Sequence, residues 1–341
     1  MLTFDVYTLN TYVPETEGTA PDLYRKWREQ TAEAEELGFG CAWFTEHHFR
    51  PYGGMLPSPP LLIAALAQHT RRIRLGTCVV VLPLHNPVGV AEETAVLDIL
   101  SNGRLEVGLG RGMDNQYLDV FGAEAATAQE KLEEQVEVLR AAWGPAPLHW
   151  NGRYFQCADP IDVLPKPQQQ PHPPLWMPVN REPAHARWVG RQGMNLMTIP
   201  WVQPDIAVSR RVVDAYWEGV REANLDPTGL QVLAVCPAYV AESLQQVRTD
   251  AASAWSAFRR ISAAAQGGAA PAPGAIDIIT ANERALFGDA STCCQRIESL
   301  REVLGINRLA LQFDFGGLAQ AQVLESMHRF AEDVAPAFAT A

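Results

Sequence analysis

The chain has 341 residues, of which 47% are hydrophobic, and its formal net charge is −12 at pH 7. This length suits one large domain, and the acidic balance argues against nucleic acid or an anionic membrane as the main partner. The sequence contains no run of about 18 apolar residues, so it predicts no membrane-spanning helix.

Residues 1–7 read as the first strand of a fold rather than as the basic and apolar regions of a signal peptide. None of the six cysteines belongs to a CxxC pair, so the cysteines predict no zinc site. Scattered cysteines of this kind are typical of reduced thiols packed in a core, and we therefore expect a cytoplasmic location.

Short apolar segments alternate along the chain with longer amphipathic segments, which is the pattern of repeated strand–helix units. The predicted strands cover residues 2–8, 41–45, 73–82, 105–109, 175–179, 195–199, 230–240 and 308–313. The predicted helices cover residues 22–37, 58–69, 88–100, 125–143, 183–192, 204–223 and 242–264, and a last helix ends near Pro336. Eight such units predict an α/β fold, a closed (β/α)8 TIM barrel, with residues 1–341 forming a single domain.

Two segments depart from the alternation. Residues 144–174 are rich in proline, so we expect an insertion between strands 4 and 5, with a short hairpin around Trp150 to Phe155. Residues 263–276 are almost wholly Ala, Gly, Pro and Gln, a composition too poor in apolar groups to offset the entropy of ordering. We expect a mobile lid after strand 7, over residues 263–288; a surface linker without a role is the alternative.

Polar residues and glycines directly follow most of the predicted strands. In a barrel of this kind the active site forms at the carboxyl ends of the strands, so these segments should meet at one rim. They are Glu46–Phe49, Pro83–Pro87, Gly110–Asn115, Asn180–Glu182, Pro200–Trp201 and Asp314–Gly317.

The sequence Glu46-His47-His48 after strand 2 contains groups that can bind metals or transfer protons. Adjacent strand residues point to opposite sides, and no further ligands stand at a suitable spacing, so we predict no metal. An imidazole ordinarily titrates near neutral pH, which favours an acid–base or hydrogen-bonding role for one histidine. A purely structural histidine at a strand end is the alternative.

Arg111 stands between two glycines after strand 4, where its guanidinium could approach a ligand phosphate closely. The alternative is an ion pair with a neighbouring carboxylate. Asn180 and Arg181 precede Pro183, which suits the first turn of a helix, and free N–H groups there form an anion site. The sequence therefore predicts a phosphate site at one side of the mouth.

These residues, in this order and spacing, resemble the bacterial luciferase-like flavin monooxygenases, most closely the luciferase catalytic subunit. The likeness covers most of the chain and is densest between residues 37 and 122. The matching segments are Glu46–Phe49, Arg74–Thr77, Leu82–Pro83, Asn86–Pro87, Ser101–Arg104, Arg111–Gly112 with Asn115, and Phe121–Gly122.

The resemblance implies that His47 takes part in the oxygenation chemistry and that Arg111 binds the flavin phosphate. After Thr77, it implies a cis peptide bond between Cys78 and Val79 at the face of the flavin.

The resemblance also places Trp201 near the flavin ring. The sequence departs from the luciferase pattern at Gly110, which stands where the luciferase has a cysteine beside the flavin. It also lacks the serine and threonine expected after strand 5, so that Asn180, Arg181 or backbone amides would bind the phosphate instead.

The resemblance implies a two-component monooxygenase. A flavin reductase would supply reduced FMN, which reacts with O2 to a flavin hydroperoxide and oxidises a small-molecule or carrier-bound organic substrate. A closed site would slow the wasteful decay to peroxide. We further expect a homodimer. Two alternatives stay open: a deazaflavin-dependent hydride-transfer enzyme and a flavin-binding protein without turnover.

Overall fold

The computed structural model describes residues 2–265, 267 and 284–339. Its strands are Thr3–Thr8 (β1), Cys41–Phe44 (β2), Arg74–Val81 (β3), Leu105–Gly110 (β4), Leu148–Asn151 (β5), Gln156–Ile161 (β6), Leu175–Pro178 (β7), Asn195–Thr198 (β8), Val232–Val240 (β9), Leu286–Gly288 (β10) and Arg308–Gln312 (β11). Its helices are Pro14–Glu17 (α1), Ala20–Glu36 (α2), Pro59–Ala67 (α3), Pro87–Leu100 (α4), Asn115–Val120 (α5), Ala128–Trp143 (α6), Pro183–Arg191 (α7), Ile206–Glu222 (α8), Leu244–Ala265 (α9), Ala290–Leu304 (α10) and Gln320–Arg329 (α11).

Eight parallel strands close into a barrel in the order β1, β2, β3, β4, β7, β8, β9 and β11, and β11 pairs with β1 again. The predicted closed (β/α)8 barrel is therefore confirmed. All nine residues of β9 are buried, as expected for a parallel strand with both faces covered. The short strand β10 extends this sheet by pairing with the carboxyl end of β9, where Leu286 lies opposite Ala238.

Glycines allow two of the outer helices to pack closely. A Cβ atom on Gly190 of α7 would lie 2.1 Å from the carbonyl oxygen of Tyr216 in α8. A Cβ atom on Gly219 of α8 would lie 2.0 Å from the carbonyl oxygen of Arg187 in α7. Only glycine allows this approach, which fixes α7 and therefore the start of that helix at the barrel mouth.

Buried charges pair with one another inside the amino-terminal end of the barrel. Both Nε and Nη2 of Arg308 donate to the Asp5 carboxylate at 2.9 Å. Trp43 Nε1 donates to Asp5 at 2.9 Å, and Trp176 Nε1 donates to Glu106 at 2.7 Å. Glu106 also pairs with Arg74 and lies 3.7 Å from Arg308. We call these four charged residues the basal network: Asp5, Arg74, Glu106 and Arg308.

Four elements of the described residues were missing from the sequence prediction: α1, α5, β10 and α10. The predicted lid, residues 263–288, is wrong at both ends, because residues 263–265 belong to α9 and Leu286–Gly288 forms a buried strand. The rest of that prediction, residue 266 and residues 268–283, lies outside the described residues. A strand of three residues is too short to show a hydrophobic period, which is why composition alone extended the lid too far.

The segment between β4 and β7 contains an antiparallel hairpin, β5 and β6, that forms its own two-stranded sheet outside the barrel. It lies where the sequence predicted an insertion. The chain ends after α11 in a short π-helical turn and a 3-10 turn that reach Phe338, instead of one continuous helix. Among the helices of the described residues, none combines the length and apolarity that a bilayer crossing requires.

Candidate active site

A cavity of about 310 Å³ opens where the barrel strands end. Its lining comes from the carboxyl ends of several strands and from the first turns of helices that follow them. The lining residues are Tyr7, Glu46, His47, Cys78, Val79, Val81, Gly110, Arg111, Gly112, Met113, Tyr117, Gln129, Leu132, Met177, Pro178, Val179, Asn180, Arg181, Glu182, His185 and Ile199. Apolar side chains dominate one part of this wall, and charged groups gather at another.

Seven of the nine residues predicted for the site line this cavity: His47, Cys78, Val79, Gly110, Arg111, Asn180 and Arg181. Two do not. Thr77 is buried, and its Oγ1 both donates to the carbonyl oxygen of Gly108 and accepts from its N–H, each at 2.9 Å, so it joins β3 to β4. Trp201 packs edge-on against Trp255, with ring centroids 5.6 Å apart, outside the lining.

The peptide bond between Cys78 and Val79 is cis, as predicted. It lies where the pairing of β3 with β4 shifts register. A Cβ atom on Gly110 would lie 2.6 Å from Cγ2 of Val79, so Val79 occupies the space that a side chain at position 110 would need. This packing gives a physical reason for glycine at the position where the luciferase resemblance predicts a cysteine. Burial raises the pKa of the Cys78 thiol to about 12, so the thiol stays protonated near neutral pH.

His47 lies just after β2 and faces the cavity, with its ring 5.3 Å from that of Tyr52. Gly53, at φ +73°, lies so close that a Cβ atom there would come within 2.4 Å of the imidazole. Burial lowers the pKa of His47 to about 4. The expectation that this imidazole titrates near neutral pH is therefore wrong: His47 is neutral at pH 7 and offers a ring nitrogen as a proton acceptor.

Glu46 is buried beside His47 and binds two other histidines. Nε2 of His85 donates to Glu46 Oε1 at 2.8 Å, and Nε2 of His48 donates to the same oxygen at 3.1 Å. The other oxygen accepts from the backbone N–H of Val81 at 2.8 Å. We call Glu46, His48 and His85 the mouth cluster.

Contacts within the mouth cluster shift the pKa values of Glu46 and His85. Burial alone would raise the pKa of Glu46, but the hydrogen bonds from His48 and His85 outweigh it and lower that pKa. Burial alone would lower the pKa of His85, but the Glu46 carboxylate outweighs it and raises that pKa. Near neutral pH, Glu46 is therefore ionised. The sequence placed His85 at the rim without giving it a role.

Two guanidinium groups lie at the rim of the cavity. Arg111 lies 3.9 Å from Glu182, and both side chains are about half exposed, so this ion pair is weak and screened by water. Arg181 Nε donates to Gln203 Oε1 at 3.0 Å. The side-chain oxygen of Asn180 accepts from the N–H of Ile199 at 2.9 Å and therefore links β7 to the end of β8.

Helix α7 begins at this rim, and no side chain caps its first turn. His185 in that turn lines the cavity, and its Nδ1 accepts from Gln129 Nε2 at 2.9 Å. Its ring stacks on Trp188 at 5.4 Å with an interplanar angle of 12°. Burial lowers the pKa of His185 to about 4, so the imidazole is neutral and keeps one N–H donor. The sequence prediction missed His185; a polar residue in the first turn after a barrel strand was the available signal.

The site therefore combines an apolar wall with cations and N–H donors at one rim. The apolar part, which includes Val79, Met177, Val179 and Ile199, suits a planar ring system. Arg111, an uncapped helix N-terminus and a neutral imidazole suit a phosphate. The donor set consequently fits a flavin-type cofactor that carries a phosphate.

The family model for luciferase-like monooxygenases matches residues 3–308. The protein y4wF from Sinorhizobium fredii is 32% identical over 296 residues, which is 84% of each chain. The oxygenase component of flavin-dependent trigonelline monooxygenase from Acinetobacter baylyi is 31% identical over 235 residues, 68% of this chain and 64% of that protein.

Among solved structures, monooxygenase RslO1 from Streptomyces bottropensis superposes with a TM-score of 0.92 and 28% identity, covering 99% of this chain and 100% of that one. An F420-dependent secondary alcohol dehydrogenase shares the fold with a TM-score of 0.74 and 21% identity, over 98% of both chains. The family match covers most of the chain and the barrel mouth described above. The chain is therefore an enzyme of the luciferase-like monooxygenase family.

Proposed function

We propose that this protein is the oxygenase component of a two-component monooxygenase that uses reduced FMN and O2 to oxidise an organic substrate. The observation that carries the proposal is the single cavity joining three features: the apolar wall at Cys78–Val79, the neutral His47, and the cationic rim with Arg111. The oxygenase relative from Acinetobacter baylyi supports it.

In this proposal the rim binds the phosphate of FMN. The guanidinium of Arg111 is only loosely paired with Glu182 and is available for a charge-assisted contact with the phosphate. Arg181 and the N–H groups of the uncapped α7 turn add further donors. His185, held by Gln129, donates its remaining N–H to the same anion. The Gln129 side-chain oxygen is buried and finds no partner among the described residues, so it can accept from a polar group of the ligand.

The apolar wall excludes water from the ring. When bound, reduced FMN supplies two electrons to O2, so that one oxygen atom enters the substrate and the other leaves as water. His47 accepts a proton at its free ring nitrogen, either from the substrate or from a group it activates, because its low pKa keeps that nitrogen unprotonated at pH 7. Replacing water by apolar groups strengthens such polar contacts.

We propose that a separate flavin reductase delivers the reduced FMN. We further propose that the active protein is a homodimer in the cytoplasm. The substrate class is a small or carrier-bound organic molecule. An aliphatic aldehyde, an amine and a carrier-bound acyl chain are the first three to test, and trigonelline is a fourth because a relative carries its name.

The test is turnover with reduced FMN under 18O2, with each candidate substrate, followed by mass spectrometry of the products. One atom of 18O in a product supports the proposal. The second candidate function is hydride transfer with F420, which the fold shared with an F420-dependent dehydrogenase favours. Substrate oxidation with F420 in the absence of O2, together with no 18O incorporation from reduced FMN, would replace the proposed function by this one.

A further inference from the structure

The mouth cluster connects bulk water to the inside of the cavity through two side chains. The His85 side chain is 39% exposed, and its Nε2 lies 2.8 Å from Glu46 Oε1. Glu46 is only 3% exposed, and it lines the cavity. One carboxylate therefore separates an imidazole in contact with solvent from the space where the ligand would bind.

This arrangement is held from several directions. The backbone N–H of Val81 and the ring of His48 fix the Glu46 carboxylate. Gln135 Nε2 donates to the carbonyl oxygen of His85 at 3.0 Å, and Lys131 Nζ donates to that of Pro83 at 2.9 Å, which fixes the loop that carries His85. A carboxylate with two imidazole donors and one amide donor cannot turn freely. The fold therefore holds Glu46 and His85 in contact with each other.

Three other ionisable groups on the cavity wall stay in one protonation state near neutral pH. Burial keeps His47 and His185 neutral, with pKa values of about 4, and keeps the Cys78 thiol protonated, with a pKa of about 12. His85 differs, because Glu46 and, at longer range, Glu93 raise its pKa from the ordinary histidine value. The imidazole of His85 therefore stays protonated to a higher pH than an ordinary histidine would.

The proposed function, on which this inference rests, requires a proton to enter the cavity. The anionic form of reduced FMN, O2, the substrate and one proton yield oxidised FMN, the oxygenated substrate and water. Without a substrate, the same anion, O2 and one proton yield oxidised FMN and hydrogen peroxide. Each of these two reactions takes up one proton per turnover, and that proton comes from solvent.

We infer that Glu46 and His85 form a proton relay, in which His85 Nε2 passes a proton from solvent to Glu46 Oε1 and Glu46 delivers it to the cavity. The charged groups that face His85 are Glu46 and Glu93, and Lys131 is bound to the same loop.

The first experiment is an NMR titration of the His85 imidazole in the flavin-free full-length protein. In Glu46→Gln, which keeps the shape and removes the charge, the pKa of His85 should fall by about one pH unit. The matched control is Glu93→Gln, which removes an exposed carboxylate that acts on His85 without touching it. It should move the pKa of His85 less. An unmoved pKa in Glu46→Gln overturns the pairing, whatever the flavin does.

The second experiment follows the oxidation of bound reduced FMN after mixing with O2, which requires no knowledge of the substrate. His85→Ala should slow the proton-dependent step roughly 10- to 100-fold at pH 8 without changing the affinity for reduced FMN. Added imidazole should restore the rate by replacing the missing side chain. Glu46→Gln should be slow and should not respond to imidazole, whereas Glu93→Gln should match the wild type.

A His85→Ala variant that oxidises bound flavin at the wild-type rate from about pH 6 to pH 9 overturns the relay. A slow His85→Ala variant that imidazole does not restore overturns it also, since that result indicates a structural role. If the wild-type protein binds no reduced FMN, the proposed function fails separately, and the titration still decides whether Glu46 controls the protonation of His85.

Discussion

The barrel buries a carboxylate at each of its ends, and the two carboxylates have different hydrogen-bond partners. In the basal network, Asp5 is wholly buried and receives two hydrogen bonds from Arg308. In the mouth cluster, Glu46 is almost as deeply buried but receives its hydrogen bonds from His85 and His48. The basal network is enclosed by Trp43 and Trp176, while Glu46 lies on a cavity wall.

The difference lies in the partners. A guanidinium keeps its charge at every ordinary pH, so the cation beside Asp5 does not titrate. Burial raises the pKa of the Asp5 carboxyl, and Arg308 offsets part of that rise. An ordinary imidazole changes its charge near neutral pH, and in the mouth cluster Glu46 raises the pKa of the His85 imidazole. Arg308 also lies 5.5 Å from the ring of Trp176, which adds packing to the ion pair. Nearly equal burial therefore goes with a permanently charged partner at one end of the barrel and with imidazole partners at the other.

The largest effect is expected from breaking the basal network. Arg308→Met should lower the free energy of unfolding by about 3–5 kcal/mol, because it leaves the Asp5 carboxylate buried without its cation. The measurement is unfolding in guanidinium chloride. The control is Arg191→Met, which removes an exposed ion pair with Glu222 and should cost about 1 kcal/mol or less. Equal losses in both variants would erase the distinction between buried and exposed pairs.

The next effect concerns the chemistry of the mouth. His47→Ala should reduce product yield about 10²- to 10⁴-fold, with hydrogen peroxide released instead, while reduced FMN still binds and O2 is still consumed. Above about pH 5, His47 itself should add no pH dependence, because its pKa is about 4. Product analysis with a peroxide assay measures this.

His48→Ala is the matched control for His47, since His48 contacts Glu46 and the ring of Phe121. It should act mainly through stability. Near wild-type coupled product formation in the His47 variant would contradict a role for that imidazole in the reaction.

The third effect separates binding from stability. Arg111→Ala should weaken the affinity for reduced FMN by about 2–4 kcal/mol, which is the loss of a charge-assisted phosphate contact. Because Arg111 is about half exposed and loosely paired, the free energy of unfolding should hardly change. Titration with riboflavin, which lacks the phosphate, is the control and should show little loss. An equal loss for both ligands would make Arg111 structural.

The smallest effect is the pH dependence of stability in the mouth cluster. Glu46 has a lowered pKa, so its contribution is present above the ordinary glutamate value and is lost as the pH falls. His85 has a raised pKa, so its contribution is complete below the ordinary histidine value and is lost as the pH rises through the folded value. Both are present together between about pH 4.3 and 6.5.

Glu46→Gln should therefore destabilise the protein most in that window, by roughly 1 kcal/mol, since water screens the partly exposed His85. Unfolding curves of the variant and the wild type, recorded at several pH values, measure the difference. Arg308→Met should show no such maximum. If the loss of unfolding free energy in Glu46→Gln did not vary with pH, the two ends of the barrel would respond to pH alike.

Much of the fold could be read from local patterns. The barrel strands near residues 41, 105 and 195 were predicted within a residue or two, because each is a short apolar run between turn signals. Strand β10 and helix α10 were missed beside a segment of low complexity, where a three-residue strand has no period to detect. The hairpin of β5 and β6 was predicted around Trp150 to Phe155, but its strand bounds were not, since its residues are largely exposed.

The sequence by itself determined the barrel class and the rim at which the site forms, because hydrophobic period and strand ends are local properties of the chain. Only the tertiary structure decided what each rim residue contacts. Thr77 and Trp201 became packing residues, and His185 joined the cavity, because each depends on neighbours from other strands and helices. The same holds for charge: Asp5 finds Arg308 across 303 residues, and Glu46 finds His85 across 39. Burial and pairing set the pKa of a group, and both arise only when distant segments pack together.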